Sequence, residues 1–172
     1  MDQLADAPMA DPLLLRAVRG DADRAAATSL LLVAGVAEPY VRAWAEEGEI
    51  FVLGDSCACP GESPVGAALV MALGTGRTME LRLMAVQPDR RGEGFGRRLL
   101  YDLYDVLRAR GVRRLVSSTS NADMSRMALF QKSGFRFSHV ERDGCMPEHG
   151  WLPGKRQGDL AERDLLWFEL EL

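Results

Sequence analysis

The chain has 172 residues, 47% apolar and 27% charged, with a formal net charge of −4. This is the make-up of an ordinary globular protein, long enough for one domain with a proper core. The acidic balance disfavours a general nucleic-acid binder, and no apolar stretch reaches the roughly 20 residues needed to cross a bilayer. Lys132 and Lys155 are the lysines, so nearly all positive charge is arginine. Cys57, Cys59 and Cys145 form an odd set without framework spacing. Reduced thiols and a cytoplasmic location are the expectation. The acidic start MDQLADAPMADP lacks the apolar run of a signal peptide. Residues 1–11 read as a flexible leader, and 12–172 as a single domain.

Leu13 to Val18 suits a first strand. A helix is expected over Ala22 to Ala34, with Asp21 or Asp23 as its cap. Glu38 to Glu47 is a second helical piece, with Tyr40, Val41 and Trp44 on one side. Glu49 to Leu53 and Val65 to Leu73 read as strands on either side of a Cys-, Gly- and Pro-rich loop. Gly74 to Thr78 fits a hairpin connection. Met79 to Val86 is a strand, and a helix follows over 95–108 with a core face at Phe95, Leu99, Leu103, Val106 and Leu107. Val112 to Ser118 is a strand and Asp123 to Ser133 a helix. Phe135 to Arg142 and Leu165 to Leu172 are the last strands, separated by a polar loop over 143–164. Strands and helices alternate along the whole length. The fold class is therefore α/β (α+β), one domain with a largely antiparallel sheet and one parallel crossover.

The turn between Val86 and the third helix carries the chemistry. Arg90-Arg-Gly-Glu-Gly-Phe-Gly-Arg97 follows a strand and opens a helix. Helix starts present unpaired N–H groups and a positive dipole end, which suits an anion. A dinucleotide fingerprint fails, because its third glycine would fall on Arg97. A Walker loop fails for want of G-K-[ST]. Successive N–H groups from Gly92 to Arg97 could still wrap a pyrophosphate, with arginines beside it. A glycine turn with solvated arginines is the plainer alternative.

AVQPDRRGEGFGRRLL resembles the acetyl-coenzyme A binding motif of the GCN5-related N-acetyltransferases, the GNAT superfamily. Thr119 to Phe135 resembles that family's second motif: a strand ending in an Asn-containing turn, then a helix closing on an aromatic, three residues and Gly-Phe. LLLRAVRGDADRAAA and LLWFELEL resemble its first strand and helix and its last strand. The resemblance implies a mostly antiparallel sheet of about six to seven strands flanked by helices, with a splayed central strand pair. It implies an acyl-coenzyme A N-acyltransferase that moves acetyl from acetyl-CoA to a primary amine of a small molecule or peptide. Net charge, the lack of a long apolar run and the close Cys57-Ala-Cys59 spacing make no nucleic acid, no membrane and no metal the expectation, and a homodimer is common among similar proteins. Met84, Ala85 and Val86 would pair with the pantetheine arm. Arg91, Gly92, Glu93, Gly94, Phe95, Gly96 and Arg97 would hold the pyrophosphate. Asn121 would bond the pantetheine amides, with capping of the next helix as the plainer role.

Glu80 is the candidate base, five residues before Ala85 where some family members place a glutamate. Strict alternation puts Glu80, Arg82 and Met84 on one face and Leu81, Leu83 and Ala85 on the other. A surface ion pair with Arg82 is the competing role. Asp143, Glu148 and His149 are weaker alternatives in the loop that shapes the acceptor site in similar proteins. Trp44, Glu46, Glu47 and Trp151 would also stand on the acceptor walls. Phe130 occupies the position where many members carry the tyrosine that protonates the leaving thiolate. It has no proton to give, which leaves a non-catalytic acyl-CoA-binding module as the alternative reading.

Overall fold

The computed structural model describes residues 13–55, 59–74, 76–152 and 156–172. The expected leader and Cys57 lie outside these residues. In chain order the elements are β1 (Leu13–Ala17), α1 (Asp21–Leu31), α2 (Glu38–Glu47), β2 (Glu49–Asp55), β3 (Gly66–Leu73), β4 (Thr78–Val86), α3 (Phe95–Ala109), β5 (Arg114–Ser120), α4 (Met124–Lys132), β6 (Arg136–Glu141), β7 (Arg156–Gln157), β8 (Leu160–Ala161) and β9 (Leu165–Glu171). Seven strands form one sheet in the order β1-β2-β3-β4-β5-β9-β6, and β7 and β8 form a separate hairpin. All neighbours in the large sheet are antiparallel except β4 and β5. This is the expected mixed sheet.

The sheet buries both faces over β2 to β4. One face packs Phe51, Leu53, Ala68 and Val70 against Leu99, Leu103 and Leu107 of α3 and Phe130 of α4. The other packs Ile50, Val52, Ala67 and Leu69 against Ala27, Leu30 and Leu31 of α1 and Val41 and Ala45 of α2. β2 and β3 obey period-two alternation, whereas β4 breaks it. Leu69 pairs with Leu83 and Val70 with Leu81, so Arg82 is an extra residue, a β-bulge. The alternation inverts there. Met79, Leu81 and Met84 lie on the α3 side, and Leu83 and Ala85 on the α1–α2 side. The expected grouping of Met84 with Glu80 and Arg82 is thereby corrected.

β4 and β5 share only four rungs, Thr78–Leu81 with Arg114–Ser117. Beyond them β4 stays paired to β3 as far as Val86. β5 stays paired to β9 as far as Ser120. Each strand keeps its outer neighbour and loses its inner one, so the centre of the sheet forks. The bulge at Arg82 bends β4 at the first residue past the last rung.

The 143–164 segment is more ordered than a plain loop. A short 3-10 turn spans Pro147–His149, Trp151 bridges to Val36, and the β7–β8 hairpin follows.

Candidate active site

The turn after β4 builds one half of the site. Pro88–Arg90 form a 3-10 turn, and Gly92 (φ 86°) and Gly94 (φ 90°) take left-handed backbone. Glycine adopts this conformation without a Cβ penalty. A Cβ on either would meet nothing within 4 Å, so this face of the turn is open. α3 starts at Phe95, and no side chain caps its N-terminus. Its first N–H groups therefore remain available to an anion. The side chains around the turn bond one another. Arg90 pairs with Glu93 at 3.0 Å and lies over the Phe95 ring. Arg91 Nε reaches the Val86 carbonyl at 3.4 Å, and Arg97 Nε donates to the Tyr101 hydroxyl at 3.1 Å. Glu93, a carboxylate beside an anion seat, is neutralised by Arg90. Gly96 packs on Leu129, Val86 and Met84, at the mouth of the fork.

The fork builds the other half. Ser117 Oγ donates to the Leu81 carbonyl at 2.8 Å, closing the last rung. Past it opens a cavity of about 350 Å³. Its wall includes Arg82, Leu83 and Ser118 from the diverging strands, Tyr40 and Trp44 from α2, and Glu148, His149 and Trp151 from the loop. Arg126 from α4, Glu141 from β6 and Trp167 from β9 complete it. The loop is seated against α2 by close contacts. Tyr40 Oη donates to the Glu148 carbonyl at 3.2 Å, and Ala37 N–H to the Gly150 carbonyl at 2.7 Å. Trp167 Nε1 donates to Glu141 at 2.8 Å, and the Trp167 ring stacks on His139.

Glu80 is buried, and its Oε1 accepts from Arg82 at 2.7 Å. Arg82 in turn lies over Trp44, 4.1 Å from the ring centre. Arg82 lines the cavity and Glu80 does not, so Glu80 stands one residue behind the wall. Asn121 is bonded within the chain. Its Oδ1 accepts from the Arg163 and Asp164 N–H groups at 2.8 and 3.0 Å, and its Nδ2 donates to the Ala161 carbonyl at 3.1 Å. That fills both acceptor positions and one of two donors. Asn121 is a clip on the segment between β8 and β9, and Asp123 is the residue that caps α4, accepting from Arg126 N–H at 2.9 Å. Phe130 is 1% exposed and packs against Phe135 and Phe168. Its ring belongs to the core. Asp143 pairs with Arg163 and is absent from the cavity wall. Burial pushes the Cys145 thiol up to about 12, and its Sγ donates to the Asp164 carbonyl, which marks it as unreactive.

Tyr40, Arg126, Glu141 and Trp167 escaped the sequence reading as site residues. They come from four separate elements, and nothing local sets them apart.

A model of the "Acetyltransferase (GNAT) family" matches residues 25–135. The uncharacterized N-acetyltransferase YvbK of Bacillus subtilis (strain 168) is 26% identical over 114 residues, which are 66% of this chain and 70% of that protein. The IAA acetyltransferase from Bacillus cereus ATCC 14579 superposes with a TM-score of 0.79 at 24% identity, covering 93% of this chain and 99% of that one. A GNAT family acetyltransferase from Elizabethkingia anophelis, solved with acetyl-CoA bound, superposes at 0.78 with 18% identity, covering 94% and 99%. With its family match over residues 25–135, its forked sheet and its open glycine turn at a helix start, the chain belongs to the GNAT acetyltransferase family, whose enzymes use acetyl-CoA.

Proposed function

We propose that the protein transfers the acetyl group of acetyl-CoA to a primary amine of a small molecule or peptide. One observation carries this reading: the glycine turn meets β4 at Met84 and Val86, and the same strand lines the cavity at Arg82 and Leu83, so the diverging strand joins an anion seat to a cavity. The pyrophosphate would rest on the N–H groups from Gly92 to Arg97. The pantetheine arm would pair with the free inner edge of Met84 to Val86. The amine nitrogen attacks the thioester carbon, the C–S bond breaks, and the thiolate leaves with a proton while the nitrogen loses one. The proton acceptor must stand within reach of the amine. Glu141 and Glu148 line the cavity and fit that requirement. Glu80, behind the wall and paired with Arg82, is a positioning residue in this scheme.

Isothermal titration with acetyl-CoA, followed by a thiol-release screen over an amine library, tests the proposal. Micromolar binding and amine-dependent thiol release are expected. No binding at micromolar coenzyme overturns it. Phe130 favours a second reading, a binding module without turnover. That reading requires coenzyme binding with no thiol release from any amine.

A further inference from the structure

The character of the acceptor is written in the cavity wall, given acetyl transfer as the reaction. Four aromatic rings, Tyr40, Trp44, Trp151 and Trp167, stand around it. Such walls favour an apolar or aromatic body. Two arginines also line it, and they are not equivalent. Arg82 is matched by the Glu80 carboxylate at 2.7 Å and by the Trp44 ring. Arg126 is matched more loosely. Its nearest ion-pair partner is Asp123 Oδ2, 3.5 Å from its Nε. Among the described residues, none accepts a hydrogen bond from its guanidinium. Burial pulls its pKa down, the carboxylates of Asp123 and Glu162 oppose that, and the Arg91 charge adds to it. The Arg126 side chain is 20% exposed and lines the cavity, so a ligand there can complete its open donors. Its fork matches a carboxylate in two parallel bonds.

We propose that the acceptor is an amino acid with a bulky apolar side chain, its carboxylate gripped by Arg126, its side chain laid among the aromatic rings and its amine turned to Glu141 and Glu148. An amine of the same skeleton that lacks the carboxylate would leave the guanidinium open, so the carboxylate sets specificity.

The test pairs phenylalanine, tryptophan, leucine and methionine each with its amide and with its decarboxylated amine. Thiol release from acetyl-CoA gives kcat/KM for every member. The free acids should exceed the partners that lack the carboxylate by about 10- to 100-fold, the worth of a charge-assisted pair. Arg126→Gln should erase that ratio, and Arg126→Lys, which keeps the charge and loses the fork, should restore part of it. Titration of both variants with acetyl-CoA, with their melting temperatures, separates specificity from coenzyme binding and from folding. Equal use of acids and amines overturns the inference while acetyl transfer stands. It is also overturned if Arg126→Gln weakens acetyl-CoA as much as it lowers the ratio, because the guanidinium then serves the coenzyme. If acetyl-CoA binds and no compound or library amine releases thiol, acetyl transfer itself falls, and this inference with it.

Discussion

The Ser117 hydroxyl donates to the carbonyl of Leu81 across the last rung shared by β4 and β5. The bond is buried and sits where backbone pairing stops. It therefore satisfies an acceptor that would otherwise have one partner fewer at the root of the fork. Ser117→Ala should cost about 1–2 kcal/mol in urea denaturation. It should also weaken acetyl-CoA binding, because the angle between the strands is no longer pinned. An unchanged melting curve would show that the fork is held elsewhere.

Gly94 and Gly96 stand two residues apart and predict opposite results. Gly94→Ala forces a side chain into left-handed backbone, at about 1–2 kcal/mol. Gly96 is helical, and a Cβ there meets Leu129, Val86 and Met84 at 3.5–4.0 Å, ordinary contact distances. Gly96→Ala should hold or raise the melting temperature, since alanine is the better helix former. Calorimetric titration should show Gly94→Ala binding acetyl-CoA roughly tenfold more weakly, equivalent to about 1.4 kcal/mol.

Glu80 and Arg82 form a pair that is buried on the carboxylate side and 31% exposed on the guanidinium side. Glu80→Gln should lower stability by about 1–3 kcal/mol, since it leaves Arg82 uncompensated over Trp44. The acidic limb of the kcat/KM profile against pH should survive if, as proposed, the base is Glu141 or Glu148 on the cavity wall. Disappearance of that limb would return the base to Glu80.

Gly150 abuts the Tyr40 ring. A Cβ there would stand 2.7 Å from the ring carbon, on backbone with φ 90°. Gly150→Ala must displace the loop or the ring, and both line the cavity or hold its wall. Acceptor KM should rise severalfold while the acetyl-CoA dissociation constant stays within about twofold, for no residue of the glycine turn lines the cavity that this contact walls.

Asp23 accepts hydrogen bonds from Arg16 and from the Gly61 N–H, and these hold its carboxyl below the usual value. A carboxyl with a depressed folded pKa stabilises the fold fully above its unfolded pKa, about 3.9. The contribution fades as pH falls through the folded value. Asp23→Asn should therefore lower stability at pH 7 and narrow the gap to wild type below about pH 4, followed by denaturant midpoints.

The order of strands and helices was legible because alternation and helical spacing are local. LLYDLYDVL announces its buried face by itself, and the glycine turn announces an anion seat. The bulge at Arg82 was not legible. Whether a residue is extra depends on its partner strand, and MELRLMAV reads as unbroken strand. The bonds of the Asn121 amide were hidden for a related reason, since its partners lie 40 to 43 positions away. The β7–β8 hairpin did leave a signal in Gly158-Asp159, a turn pair between short extended runs. Arg126 and Glu141 look like any solvated helix or strand charge until the fork brings them to one cavity.

The fork has a further consequence for the protein without its coenzyme. An ordinary open sheet has two edge strands, and folds protect them with charge, bulges or covering loops. This sheet has an added pair of edges in its middle, along Leu83 to Val86 and Ser118 to Ser120. Unpaired backbone in such a place is a template for a stray strand. The coenzyme arm would then serve as a guard as well as a donor. Loading the cleft should slow heat-induced aggregation by more than its binding energy alone would slow unfolding.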